Sequence, residues 1–571
     1  MFRCPRFGDC CGLLLVSAVF ISASNLAVGQ DLQLKVVDTY ATGTFGKSAA
    51  EIPAYCRKSQ QLFVVNAESG SVNVLRLLPS GKLEPVTVLD AATDVGGKLG
   101  AVNSVSIHNG KLAVAVEGKP ATENGVIAIY NTATLKLFGS VPVGALPDMV
   151  AFSPDGRWVV VANEGEPNDD YTIDPEGTVS IIDFRKGWNE KTVRHVNFRD
   201  WNVGGERESE LPKLKADGLR LAGRVTLSVD PYQSRPATFA EDMEPEWVEI
   251  SGDSTTAYVC LQENNAIAEI DLATAQVKRL IPLGYKDHGA VGNELDASDR
   301  DGGIQIRQWP GLMGVYQPDT IRLYESGGNR FLLTANEGDS RVRPYADGIV
   351  DGIDEGGLYS DEAVISDWPL QGTPWETLAG SEALGRLLLV RNLVDANLDS
   401  EGRPTKLFSF GGRSFSIFDA RSGEQIFDSG SDFERITAER YPKHFNASND
   451  STTFDKRSRS KGPEPEGMAL GKIDGRDYAF IGLERIGGIM IYEITDPRKP
   501  RFVAYHNNRN FDVSPALDDG SSNPEAGDTG IEGLIFIAAD ESPTKTPLIV
   551  AGNETSGTTT VWSIVPLSDS K

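Results

Sequence analysis

The sequence predicts an all-β fold, a seven-bladed β-propeller with long loop insertions, and three observations predict it. Short Val/Ile/Leu/Tyr runs punctuated by Gly, Asn, Asp and Pro fill the chain, while helical periodicity is scarce. One unit recurs seven times: an acid or amide, often after Pro, an aliphatic run, a turn, a second aliphatic run, and a polar residue, usually Glu. Units of this size cannot bury both faces alone and read as propeller blades. The alternative, a stack of separate β-sandwiches, would need linkers, and no low-complexity stretch divides the units.

The units follow in order. The first runs from Glu51 to Glu68, the second from Asn103 to Glu117, and the third from Asp148 to Glu164, with the hairpin turn Ser153-Pro154-Asp155-Gly156. The fourth spans Glu246 to Glu263, the fifth Asp319 to Glu337, the sixth Glu466 to Glu484 and the seventh Glu532 to Glu554. Most continue into a third strand, as in GVIAIY, TVSIID and TTTVWSI. LQLKVVDTY near the N-terminus is expected to add a strand to the last blade and close the ring. Two insertions interrupt the repeats, at Arg185 to Met243 and Arg341 to about Lys461; within the second, LFSFGGRSFSIFDARSGEQIFDSG reads as outer strands of the fifth blade.

Ahead of the repeats, Arg3 and Arg6 precede an apolar run from Gly12 to Ile21 and small residues ending at Gly29. That order predicts a secretory signal over residues 1–29 and export of a single propeller domain over 30–571. A membrane anchor is the competing reading, although the run is shorter than the roughly 20 residues a span needs. Only Cys56 and Cys260 follow the signal, so no disulfide framework is expected, and their places in the first and fourth units predict that they stay unpaired. The formal charge of -26 argues against nucleic acid and anionic lipid and for cations. A soluble monomer is expected.

In a propeller the innermost strand of each blade lines the axis, so Glu51, Asn103, Asp148, Glu246, Asp319, Glu466 and Glu532 would face one small volume. Glu164, Glu263, Glu337, Glu484 and Glu554 end second strands at the same rim. Carboxylates converging at low dielectric repel unless a cation offsets them, and a hard cation with oxygen ligands, Ca²⁺, is the economical solution. The blander reading is that such acids cap turns or accept backbone N–H groups.

Lys456, Arg457, Arg459 and Lys461 form the one dense basic cluster, directly before Glu464 and Glu466, and His444 adjoins it. Beside a metal, Arg457, Arg459 and Lys461 would hold a phosphate or sulfate ester while the cation polarises it; alternatively the cluster is a solvated loop balancing local acids. The loops ELDASDRDGG (Asp296, Asp299, Asp301) and ADGIVDGIDEGG (Asp347, Asp351, Asp354, Glu355) lack full calcium-loop spacing and read as surface turns. No G-x-S-x-G, Walker or H-E-x-x-H motif is present.

VANEGEPNDDYTIDPEGTVSIID, LQENNAIAEIDL, LDASDRDGG, TANEGDSR, IFDSGSDFE, FDKRSRSKGPEPEGM and GLERIGGIMIYEI closely resemble the bacterial choice-of-anchor I family. Its relatives include exported proteins labelled alkaline phosphatase-like and the mesenchyme-specific cell surface glycoproteins. The resemblance covers nearly the whole chain after the signal and implies an exported propeller domain. It departs from the family in showing no C-terminal anchoring signal, and it carries no conventional alkaline-phosphatase nucleophile motif.

Three functions follow as expectations. The first is an exported, calcium-dependent phosphoesterase whose ring acids bind metal and whose basic cluster holds a small phosphate ester. The second is a non-catalytic extracellular matrix or cell-surface protein that binds Ca²⁺ or mineral, for which the sequons at Asn446, Asn449 and Asn553 would suit a glycoprotein. The third is a protein-interaction propeller with an inert channel.

Overall fold

The computed structural model describes residues 32–168, 172–185, 187–188, 191–222, 225–226, 235–343 and 359–566. The expected signal and the loop residues Asp347, Asp351, Asp354 and Glu355 lie outside them. Among the described residues are seven four-stranded antiparallel sheets. Their first strands are Pro53–Cys56, Leu99–His108, Pro147–Phe152, Pro245–Ile250, Ile321–Ser326, Pro465–Ile473 and Ile531–Ile537. Each touches the next in that order, and Ile531–Ile537 returns to Pro53–Cys56. The sheets therefore stand radially about an axis, the β-propeller architecture. Closure comes from both ends of the chain, because Leu32–Ala41 pairs antiparallel with Thr558–Pro566 as the outermost strand of the seventh sheet.

The core is divided among the spaces between neighbouring sheets. Trp158, Val160, Val248 and Val259 fill the space between the third and fourth, and Leu62, Val64, Leu548 and Val550 the space between the first and seventh. A second strand buried on both faces shows no alternation, which is why WVVVA at 158–162 and LIVAG at 548–552 read as unbroken apolar runs. Each fully buried Val or Leu contributes about 1.5–3 kcal/mol.

The fifth sheet departs from the expected strand assignment. Its outer strands are Ser414–Asp419 and Gln425–Asp428, but Leu407–Phe410 lies elsewhere, pairing parallel with Leu312–Val315 in a five-stranded mixed sheet. The chain turns at Gly411, whose φ of 76° favours glycine. Leu407 and Phe410 instead cover a separate core with Trp309, Trp375 and Leu389.

Asp296 corrects the reading of ELDASDRDGG as a surface turn: it is fully buried and accepts the N–H groups of Ser298 and Gln305. Cys56 and Cys260 sit in the first and fourth sheets, buried and unpaired. No helix among the described residues is long and apolar enough to cross a membrane.

Candidate metal centre in the axial channel

The second strands end alike. In the third, sixth and seventh sheets the terminal glutamate donates its backbone N–H to a carbonyl at the entry of the first strand: Glu164 to Leu146 at 2.8 Å, Glu484 to Glu464 at 2.8 Å and Glu554 to Gly530 at 2.7 Å. In the third, fifth and seventh sheets the residue before this glutamate is an asparagine that faces the third strand. Asn163 Nδ2 donates to Thr178 and Ser180, Asn336 Nδ2 to Ser414 and Ser416, and Asn553 Nδ2 to Thr558. Strand alternation thus sends the amide to a neighbour and the carboxylate toward the axis.

Glycines then let the inner strands close up. A Cβ on Gly467, which follows Glu466, would stand 2.4 Å from the Glu532 carbonyl, and one on Gly533, after Glu532, would stand 2.9 Å from that of Glu51. This close approach gathers the acids into two overlapping triads. Asp319, Glu466 and Glu532 form one, Glu337, Glu466 and Glu484 the other, with the oxygens of each within 4.8 Å of one another. At that separation two ionised carboxylates repel by about 3.5 kcal/mol at an effective dielectric of about 20.

Proton affinities follow. Burial, then the charges of Glu532 and Glu484, pushes Glu466 well above the usual carboxylate range. Burial, then the charges of Asp319 and Glu554, does the same for Glu532. Burial lifts Asp319 to about 6 and Glu337 to about 7, against the pull of Lys461 on both, and raises Glu484 despite Arg485. Farther round, burial and a neighbouring acid raise Glu51 (with Glu554), Asp148 to about 7 (with Asp319), Glu164 (with Glu166) and Glu246 (with Glu263). Burial and Glu244 lift Glu263 to about 8. The acids of the inner ends therefore lie within electrostatic reach of one another around the axis.

The donor set is carboxylate oxygen throughout, without His or Cys in either triad, which fits a hard cation such as Ca²⁺. Unsatisfied acceptors mark the triads: the Oε2 atoms of Glu466 and Glu484 are buried without a hydrogen-bond partner, as are those of Glu246 and Glu263 outside them, the last 3.8 Å from Arg341. Buried polar atoms are ordinarily paired, so each is an exception that needs a cause. Among the described residues, only the second sheet contributes no acid to the ring. Asn103 donates toward the Pro147 carbonyl, and Glu117 accepts the N–H of Ala101.

The basic cluster divides. Lys461 Nζ is buried against Glu337 at 2.7 Å, Glu464 at 3.2 Å and Asp339 at 3.3 Å. Arg457 Nε and Arg485 Nε each meet Glu464 at 2.8 Å, and Arg485 also reaches Glu484 at 2.7 Å. Burial alone would raise Glu464, yet Arg457, Arg485 and Lys461 outweigh it and hold the carboxyl far below its usual range. Arg459 keeps 38% side-chain exposure, with Asp299 at 4.0 Å, and Lys456 pairs with the exposed Asp450. A cavity of about 350 Å³ opens here, walled by Arg457, Arg459, Lys461, Arg485, Asp339 and Glu362. His444 stacks on Phe511 with ring centroids 4.7 Å apart, and its Nδ1 faces the Thr452 carbonyl.

Several partners of the ring are illegible in the sequence. Gln262 donates to Glu337 Oε2 and Asn449 to Glu484 Oε1, each over 75 and 35 residues respectively. The latter also corrects the sequon reading. Asn446, Asn449 and Asn553 are all buried, and their Nδ2 atoms are spent on Glu434 and Ser458, on Glu484 and on Thr558, so the folded chain presents none of them to a glycosyl donor.

Among solved structures, the chain is similar to Kuenenia stuttgartiensis hydrazine synthase (TM-score 0.40, 12% identity, 93% of this chain and 99% of that one). It is also similar to the Myceliophteria thermophila Cps50 (Swd1) β-propeller domain (TM-score 0.42, 9% identity, 93% and 100%). Among curated proteins, the mesenchyme-specific cell surface glycoprotein of Strongylocentrotus purpuratus is 28% identical over 325 residues, 53% of this chain and 40% of that protein. Gigasin-3a of Magallana gigas is 32% identical over 180 residues, 29% of this chain and 60% of that protein. The chain thus spans about half the length of the curated relatives it matches. Residues 51–497 match the choice-of-anchor I domain, and the chain belongs to the choice-of-anchor I family.

Proposed function

We propose that this protein is an extracellular, non-catalytic, calcium-binding propeller of seven blades, one blade for each four-stranded sheet, whose ring acids hold Ca²⁺ in the channel. The supporting observation is the pair of buried oxygens without a hydrogen-bond partner on Glu466 and Glu484, among carboxylates too close to ionise together. An extracellular place is supported by the predicted signal and by the sea-urchin relative, whose name is that of a cell surface glycoprotein. Its partner would be a calcium-bearing surface or mineral, reached through a chain of strong negative charge.

Calorimetric titration and thermal melting with Ca²⁺ test this. A cation that binds only the folded form at a hundred times its Kd adds about 2.7 kcal/mol, so the melting temperature should climb by several degrees while phosphate esters remain intact. Melting that ignores millimolar Ca²⁺, Mg²⁺ and Mn²⁺ would defeat the reading and leave an inert-channel interaction propeller. A second reading, a Ca²⁺-dependent phosphoesterase, is favoured by the Arg-walled cavity beside the triads. Turnover of a generic phosphate ester that appears with Ca²⁺ and vanishes on Arg459→Ala would establish it.

A further inference from the structure

The two triads share Glu466 but differ in what surrounds them. Among the described residues, no lysine or arginine forms an ion pair with Asp319 or Glu532, whereas Glu337 is bonded to Lys461 Nζ at 2.7 Å and Glu484 to Arg485 at 2.7 Å. Lys461 is also enclosed, in contact with Glu464 and Asp339. An ammonium on a carboxylate occupies the charge that a divalent ion would use, and moving it away would leave Lys461 buried with Glu464 and the half-exposed Asp339.

We propose that the channel holds two unequal cation subsites joined by Glu466: Asp319, Glu466 and Glu532 bind one divalent ion, while Lys461 serves as the built-in cation of Glu337, Glu466 and Glu484 and keeps a second ion out. This inference rests on the calcium reading above and goes beyond it in assigning stoichiometry and an internal competitor. The free Oε2 of Glu484, 4% exposed, and that of Glu466 are the oxygens a second ion would take once Lys461 is gone.

The measurement is Ca²⁺ stoichiometry by equilibrium dialysis on the full exported chain. Wild type should bind one ion and Lys461→Met two, with Glu484→Gln in the Lys461→Met background returning the count to one. A pair of single variants carries the test should Lys461→Met not fold: Glu532→Gln should weaken binding at least 100-fold, Glu484→Gln less than 10-fold. Two ions in wild type, one in folded Lys461→Met, or equal losses in the two glutamine variants would each overturn the proposal. Absence of Ca²⁺ binding by wild type would instead overturn the calcium reading beneath it.

Discussion

The segment Lys456 to Lys461 and the ring of inner-strand acids are both dense in charge, yet the fold treats them oppositely. The basic residues are largely consumed: Lys461 and Arg457 close on Glu464, which is fully buried and also holds Arg485. The acids are left in excess, with proton affinities raised and oxygens unpaired. A charged run becomes a candidate binding element only where the surrounding fold fails to neutralise it. By that criterion the acids point to a ligand and most of the basic cluster to structure.

The strongest way to break this comparison is to remove the neutralising centre. Glu464→Gln removes the carboxylate shared by three cations, breaking the ion pair of Arg457 while Lys461 keeps Glu337 and Asp339 and Arg485 keeps Glu484; removing one partner of a buried pair typically costs about 3–5 kcal/mol, and denaturant unfolding should show a loss of that size, with or without Ca²⁺. In the ring the sign reverses. Glu466→Gln relieves like-charge crowding, so the metal-free protein should become more stable in denaturant unfolding while losing its stabilisation by Ca²⁺.

A pH series sharpens the contrast outside the ring. Asp296 is raised to about 7 by burial and Glu434, and Asp455 to about 8 by burial despite its bond from Ser458. The folded form therefore binds more protons than the unfolded chain between the ordinary aspartate range and these values, and stability falls as pH rises through that interval. Metal-free protein should melt lower at pH 8 than at pH 5.5. The smallest effect belongs to Arg459, partly exposed with its nearest carboxylate at 4.0 Å: Arg459→Ala should change stability by less than about 1 kcal/mol.

Repeated local pattern made the ring legible. Most neighbouring strands of the sheets are joined by short-range hairpins, the second and third strands of the fifth sheet being an exception, so the runs at Val159–Val161 or Leu548–Val550 disclose their pairing directly. Ring closure was legible too: LQLKVVDTY was expected to add a strand to the last sheet, and Leu32–Ala41 pairs there with Thr558–Pro566. The mixed sheet was hidden because Leu312–Val315 meets Leu407–Phe410 at a sequence offset of 95 residues, through four residues on each side. Glu464 was hidden for a conformational reason: two residues before Glu466 it would share that residue's face in a regular strand, but its φ of 51° breaks the alternation and turns it to the cations. Glu337, Glu484 and Glu532 could be placed by periodicity, whereas Gln262 and Asn449 reach the ring from strand ends and loops where no periodicity operates.

The pairing of Leu32–Ala41 with Thr558–Pro566 sets a timetable. Leu32–Ala41 has no partner until Thr558–Pro566 has been made, so the enclosure is complete only once both segments exist. Any cation held there would be enclosed after the last sheet is made, instead of during synthesis of the earlier ones.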